Sequence, residues 1–444
     1  MKVLRSQRVV TREGIRAATI FIADEKIVHI APFDAEIPPQ FTLEECGDAV
    51  ISPGVIDAHV HINEPGRADW EGFETATRAA AAGGVTTLVE MPLNASPVVT
   101  TLAAWQQKIA ATTGKLRVDC GFYGGLIPGN IDQIESMLDA GALGIKAFLC
   151  DSGLDEFPAS GEAELRAAMP ILARRGAVLL VHAEIPDAQT PPAKSSRVYA
   201  DYLASRPPAW EIGAIETMIS LCREFGCRVH IVHLASAAAL PILRAARAEG
   251  LPISVETAPH YLFFEAQNIP DGATQFKCAP PIRDAANRES LWQGLREGTI
   301  DFIASDHSPC PPTLKNLESG DFAGAWGGIA SLQWTLAIAW SEAKKRGFSL
   351  EDVARWTSEN PALMLGLQNR KGAIAVGNDA DLVAWEPETH FTIGAETNFH
   401  RHKVTPYDAV ELFGKVRATY LRGEKVFKNG DFAAQPTGKV IYGS

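Results

Sequence analysis

From about residue 51 to residue 370 the chain repeats one alternation: a short apolar run bounded by turn residues, then a longer stretch of helical character. In order the runs are VISPGVIDAHVH, VTTLVEMP, RVDCGFYG, ALGIKAFLC, AVLLVHAE, CRVHIVHLAS, LPISVETAPH and TIDFIASDHS. Near-continuous apolar runs separated by helices predict parallel strands joined by crossover helices and buried on both faces. Eight such runs fit a closed (β/α)8 TIM barrel, an α/β fold. Between the first two runs, DWEGFETATRAAAAGG predicts a helix with an acidic first turn and glycine at its end.

The two chain ends read differently. Residues 1–50 alternate polar and apolar side chains, as in IRAATIFIADEKIVHIAPF, and the pattern returns in DADLVAWEPE and VRATYLRGEKVFKNG. Period-two alternation with Gly423 and Asn429-Gly430 at turns predicts antiparallel strands. The expected organisation is therefore a small β-sandwich domain formed by both termini (1–50 with 371–444) flanking a barrel (51–370). A length of 444 residues suits one long barrel with a smaller partner domain.

A formal net charge of −12 and the lack of a basic run argue against nucleic acid or an anionic membrane as partner. A small neutral substrate would not feel this field. The N-terminal MKVLRSQRVVTREG lacks the apolar segment of a signal peptide, and no later run is long enough to cross a bilayer, so a cytoplasmic protein is expected. Seven cysteines without a CxxC pair signal neither a disulfide framework nor a thiolate zinc knot and are expected to be mostly small buried side chains.

In a barrel, side chains at the C-terminal strand ends build the site. Strand one ends in Asp57-Ala-His59-Val-His61, strand five in His182, strand six in His230-Ile-Val-His233 and strand eight in Asp306-His307. His59 and His61 are two apart, so on a strand they share a face and can grip one ion together. His233 is nearer its strand end than His230, which favours His233 as ligand and leaves His230 to packing or to orienting a ligand. Asp306 follows DFIAS, where an unpaired carboxylate is costly, so coordination or proton transfer is expected of it, with His307 as a helper. His260, in ETAPHYL, is open between substrate contact and strand packing.

Lys146, in the middle of GALGIKAFLC, is the conspicuous exception to a buried strand. A buried lysine has a lowered pKa and is partly the neutral amine, which can add carbon dioxide and become a two-oxygen carbamate. Four histidines and an aspartate exceed what one tetrahedral site needs, so two divalent ions are expected, zinc first, with cobalt, manganese or iron also suited to such ligands. A carbamylated Lys146 could bridge them.

The set DAHVH, a strand-four lysine, His182, His233 and SDHSP resembles the cyclic amidohydrolases, the family of dihydroorotases, hydantoinases, dihydropyrimidinases and allantoinases. That resemblance covers essentially the whole chain. It implies a barrel with a small β sandwich, a two-metal site and commonly a homotetramer. His59, His61, carbamylated Lys146 and Asp306 would hold one ion, and Lys146, His182 and His233 the other.

Within the family, HINEPGRADWEGFETATRAAAAGG, VEMPLNASP, KCAPPIRD, SDHSPCPP and AWGGIASLQ are most similar to the allantoinase branch, which implies hydrolysis of the ring amide of allantoin to allantoate. Dihydroorotases usually carry an arginine two residues after the HxH histidine to receive a substrate carboxylate; Asn63 stands there, in keeping with a substrate that lacks one. Asn94 and the Cys278-Ala279 pair are the expected substrate contacts, Ala279 acting through its main chain where relatives commonly have serine. Asp306 would take the nucleophile's proton and hand it to the ring nitrogen. The alternatives are a hydantoinase, dihydropyrimidinase or dihydroorotase with the same mechanism, a one-metal deaminase without need of Lys146, and a non-catalytic scaffold relative.

Overall fold

The structure is a computed structural model that describes residues 1–443. The N-terminal strands are β1 (Lys2–Thr11), β2 (Gly14–Ala23), β3 (Lys26–Pro32), β4 (Thr42–Glu45) and β5 (Val50–Pro53). The barrel strands follow: β6 (Val55–Val60), β7 (Val85–Glu90), β8 (Asp119–Phe122), β9 (Gly124–Gly125), β10 (Ile145–Phe148), β11 (Val178–His182), β12 (Arg228–Ile231), β13 (Ile253–Thr257) and β14 (Phe302–Ile303). The chain returns to the first sheet with β15 (Leu382–Thr392), β16 (Glu411–Leu421), β17 (Glu424–Lys428) and β18 (Asp431–Phe432).

The fold is the (β/α)8 barrel with a small β unit built from both chain ends. β6, β7 and β8 form one parallel ladder, and β9 to β14 form the next in chain order. β8 and β9 are two pieces of the same third run, separated by Tyr123. Between β14 and β6 the barrel closes through few ladder bonds: the His61 amide donates to the His307 carbonyl at 2.7 Å, and the Ser305 amide donates to the buried Asp57 carboxylate at 3.0 Å. A side chain thus completes a ladder that the two-residue β14 leaves short. Within β11, VLLVH is buried along its whole length, and each apolar side chain so placed contributes about 1.5–3 kcal/mol.

The terminal strands make one sheet of nine, in the order β18-β17-β16-β15-β5-β1-β2-β3 with β4 beside β1. Its halves meet where β5 runs antiparallel to β15, Leu382 opposite Pro53 and Trp385 opposite Val50. Leu4, Ile20, Ile51, Leu382 and Tyr420 from both chain ends share one core. A buried charge cluster joins this sheet to the barrel. Lys371 Nζ lies 2.9 Å from Asp119 Oδ2 on β8 and pairs with Asp381, while Arg422 Nη1 reaches Asp119 Oδ2 at 2.6 Å. Beyond β18 the chain turns back to the barrel, where the Cys120 amide donates to the Lys439 carbonyl at 3.0 Å.

Two details differ from the sequence reading. The first apolar run is not one strand: it breaks at Gly54, giving β5 to the terminal sheet and β6 to the barrel. A Cβ on Gly54 would stand 2.3 Å from Thr86 Oγ1 on β7, so glycine lets the two sheets part in a single residue. The helix read from DWEGF starts only at Phe73, with the expected acidic first turn supplied by Glu74 and Gly83 at its end. Asp69 and Glu71 precede it, and Glu71 is buried, accepting from the Arg401 amide at 3.1 Å. All seven cysteines are free; six are buried, and Cys46 is partly exposed. Among the described residues no helix is long and apolar enough to cross a membrane.

Candidate active site

The C-terminal strand ends of the barrel surround a cavity of about 570 Å³, walled by His59, His61, His182, His233 and Asp306. Strand alternation puts Asp57, His59 and His61 on one face of the β6 run. His233 and Asp306 lie just past the ends of β12 and β14 and take left-handed backbone, φ 37° and 47°. Non-glycine residues held there store local strain, which clusters at functional sites.

Two pairings divide the floor. On one side His59 Nε2 is 3.2 Å and His61 Nε2 3.7 Å from Asp306 Oδ1. On the other, His182 Nδ1 is 3.0 Å from His233 Nε2. Lys146 is 1% exposed and does not line the cavity, its Nζ without a hydrogen-bond partner among the described residues. Burial pushes the Lys146 amine down to about 7, against the pull of Glu256 and Asp306. Burial raises Asp306 to about 6 although His59 and Lys146 oppose it. Burial, reinforced by neighbouring imidazoles and Lys146, also holds His61 and His233 well below the usual histidine range. These rings are therefore neutral near pH 7, the form in which imidazole ligates metal.

An orphaned amine among neutral imidazoles and an aspartate is the donor set of a divalent-metal centre, and His59, His61 and Asp306 lie close enough together to share one ion.

The Amidohydrolase family profile matches residues 50–426. The chain belongs to the amidohydrolase family. An allantoinase of Streptomyces avermitilis is 47% identical over 440 residues, covering 99% of this chain and 98% of that protein. An allantoinase of Arabidopsis thaliana is 42% identical, covering 98% and 90%. Among solved structures, an L-hydantoinase (dihydropyrimidinase) from Arthrobacter aurescens superposes with a TM-score of 0.92 at 30% identity, covering 99% of each chain.

In this amidohydrolase the other sequence candidates fall into two groups. Asn94, itself in left-handed backbone, and Ala279 line the cavity. Cys278 does not: it is buried behind the wall, and its carbonyl accepts from the Tyr202 hydroxyl at 2.7 Å. His230 is fully buried, held by Ser254 Oγ at 2.8 Å and Glu256 Oε2 at 3.1 Å and stacked on Phe302. The His307 Nδ1 accepts from the Ser331 amide at 3.2 Å, away from the cavity wall. His260 is also buried outside that wall, its ring 4.2 Å from Tyr261.

Sequence reading passed over two acids. Glu256 on β13 pairs with His59 Nδ1 and also receives the His233 amide at 3.2 Å. Glu184, just past β11, receives His182 Nε2 at 2.7 Å and pairs with Arg206. The signal was present: a glutamate inside the apolar LPISVETAPH is as anomalous as Lys146 in its own strand.

Proposed function

We propose that the chain is an allantoinase, opening the ring amide of allantoin with water to give allantoate. The observation that carries this reading is the convergence of His59, His61, His182, His233 and Asp306 on one cavity wall, together with a buried Lys146 whose amine has no hydrogen-bond partner among the described residues. The relatives of 47% and 42% identity named above supply the substrate.

His59, His61, Lys146 and Asp306 would hold one divalent ion, and Lys146, His182 and His233 a second, zinc being the best match to nitrogen and oxygen donors. The ions, when bound, supply Lewis acidity toward a carbonyl and lower the pKa of water. A carbamate on Lys146, made by adding its amine to carbon dioxide with an N–C bond formed and a proton released, would supply two oxygen donors to the site. Asp306 accepts the proton of the attacking water as the O–C bond forms. It then delivers that proton to the ring nitrogen as the C–N bond breaks. Burial, which raises Asp306 toward neutrality, suits both halves of that task.

Asn94 and the main chain of Ala279 face the cavity and would hold the ureide groups of the substrate. Behind them, Cys278 keeps Ala279 in place through its bond to Tyr202. The same reading divides the chain into a terminal β domain (1–50 with 371–444, to which β5 adds residues up to Pro53) and a catalytic barrel over the rest of 51–370, assembled as a homotetramer.

The deciding experiment is turnover of the metal-loaded protein on allantoin, dihydroorotate, hydantoin and dihydrouracil. Preference for allantoin is expected, with two ions per chain by elemental analysis. Faster turnover of any other ring would replace the substrate, and a single ion per chain would remove the bridging role of Lys146.

A further inference from the structure

We propose that Glu184, gripped by Arg206, is a positioning residue that fixes which ring nitrogen of His182 is free to bind a metal ion. This rests on the two-metal reading above. His182 Nε2 lies 2.7 Å from Glu184 Oε2, and its Nδ1 faces His233 Nε2 at 3.0 Å. Glu184 is fully buried, and Arg206 donates to both of its oxygens, Nε to Oε1 at 3.1 Å and Nη2 to Oε2. A carboxylate paired in this way only accepts. The proton of His182 therefore sits on Nε2, and the lone pair on Nδ1 points into the site. Phe148 lies flat on the imidazole, ring centroids 4.4 Å apart and planes 11° from parallel, and holds its plane.

The opposite side of the site is built in reverse. There Glu256 takes His59 Nδ1, and it is Nε2 that turns to Asp306 at 3.2 Å. The two halves thus use opposite tautomers, each set by its own buried carboxylate. His182 can present Nδ1 only because Glu184 extends past the end of β11 to meet Nε2. Arg206 braces that extension from the turn between helices Tyr199–Ala204 and Pro208–Phe225.

The test begins with metal-free protein labelled with nitrogen-15 in histidine, in which long-range proton–nitrogen spectra read the His182 tautomer directly. Wild type is expected to show only the Nε2–H form, and Glu184→Leu a mixture with Nδ1–H. Chelator competition with zinc should show the second ion bound about 10–100-fold more weakly in Glu184→Leu, the first nearly unchanged, and Glu184→Asp recovering much of the loss. Should Glu184→Leu fail to fold, the double variant Glu184→Leu/Arg206→Met removes the whole pair without leaving a lone charge and is read the same way.

A Glu184→Leu protein that keeps the Nε2–H tautomer and holds both ions like wild type overturns the proposal. Arg206 lines the cavity as well, so Arg206→Met is read separately. A raised KM with unchanged tautomer and metal content would assign Arg206 to substrate and remove it from the positioning pair. If wild type itself takes fewer than two ions, the two-metal reading fails, while the metal-free spectra still decide what Glu184 does.

Discussion

Glu256 holds the Nδ1 of His59 with one carboxylate oxygen, both side chains wholly inside the barrel. Its other oxygen lies 3.1 Å from His230 Nε2, so a single acid on β13 orients imidazoles from β6 and β12. Burial raises the pKa of Glu256, but His59 and His230 outweigh it and hold the group far below the usual carboxylate range. Glu256→Gln removes the charge that favours the His59 Nδ1–H form. The variant is expected to bind metal about 10–100-fold more weakly and to lose kcat/KM in proportion, measured by metal titration and turnover side by side. Wild-type metal affinity would refute the orienting role.

Lys146→Ala should lose metal and activity together, with partial recovery when short-chain carboxylic acids are added to take the place of the carbamate. Lys146→Met is expected to raise the unfolding midpoint of the metal-free protein while abolishing turnover, because a buried unpartnered amine is replaced by an apolar chain of similar volume. A lowered midpoint in Lys146→Met would mean that the amine has a stabilising partner.

The parts of this molecule that read easily from sequence are those where pattern and burial agree. The VLLVH of β11 is one such case: a short continuous apolar run that is buried along its whole length. His59 and His61 were legible because a two-residue spacing on a strand fixes a shared face. Glu256 was not singled out, because a carboxylate that orients a ligand is recognised by the group it touches, and its partner His59 lies 197 positions away. Glu184 stands only two positions from His182, but the grip of Arg206 that marks it comes from 22 positions further on. Cys278 illustrates the converse: its neighbour Ala279 faces the cavity, while the bond to Tyr202 that turns Cys278 away spans 76 positions. The break at Gly54 carried a signal, the turn dipeptide Pro53-Gly54, but the apolar residues on both sides of it read as one run.

Lys371→Met should destabilise the protein by about 3–5 kcal/mol, since Asp119 and Asp381 would both remain buried with only Arg422 to compensate Asp119. None of these groups lines the cavity, so turnover per folded molecule should hold. Chemical denaturation and active-site titration on the same samples separate the two effects. A loss below about 1 kcal/mol would show that the cluster does not clamp the sheet to the barrel.

Lys315 is buried under the cavity-lining loop, its Nζ 3.0 Å from the Trp326 carbonyl. Burial lowers its amine from 10.5 to about 8. Between those two values the unfolded chain binds the proton and the folded chain does not, so this group makes stability rise with pH across that window. The unfolding free energy of wild type minus that of Lys315→Met should therefore climb from about pH 8 to pH 10.5 and stay level below it. Denaturant titrations at several pH values check the slope; a flat difference would mean an ordinary ammonium.

Gly54→Ala should cost about 1–3 kcal/mol through the contact with Thr86, and Thr86→Ala in the same chain should return part of it. Thermal unfolding of the single and double variants is sufficient. An unperturbed Gly54→Ala would show that the two strands can part without a bare backbone.

That same joint also limits which length changes the family of sequences around this chain can sample. Pro53 is registered against Leu382 in one sheet, and Val55 against Val85 in the other, so two ladders meet with one residue to spare. Surface loops of the barrel can grow without touching either ladder. An insertion at residue 54 cannot, because sliding β6 by one position would turn His59 and His61 to its opposite face. The distance along the chain from Pro53 to His59 is thus part of what aims the histidines into the site.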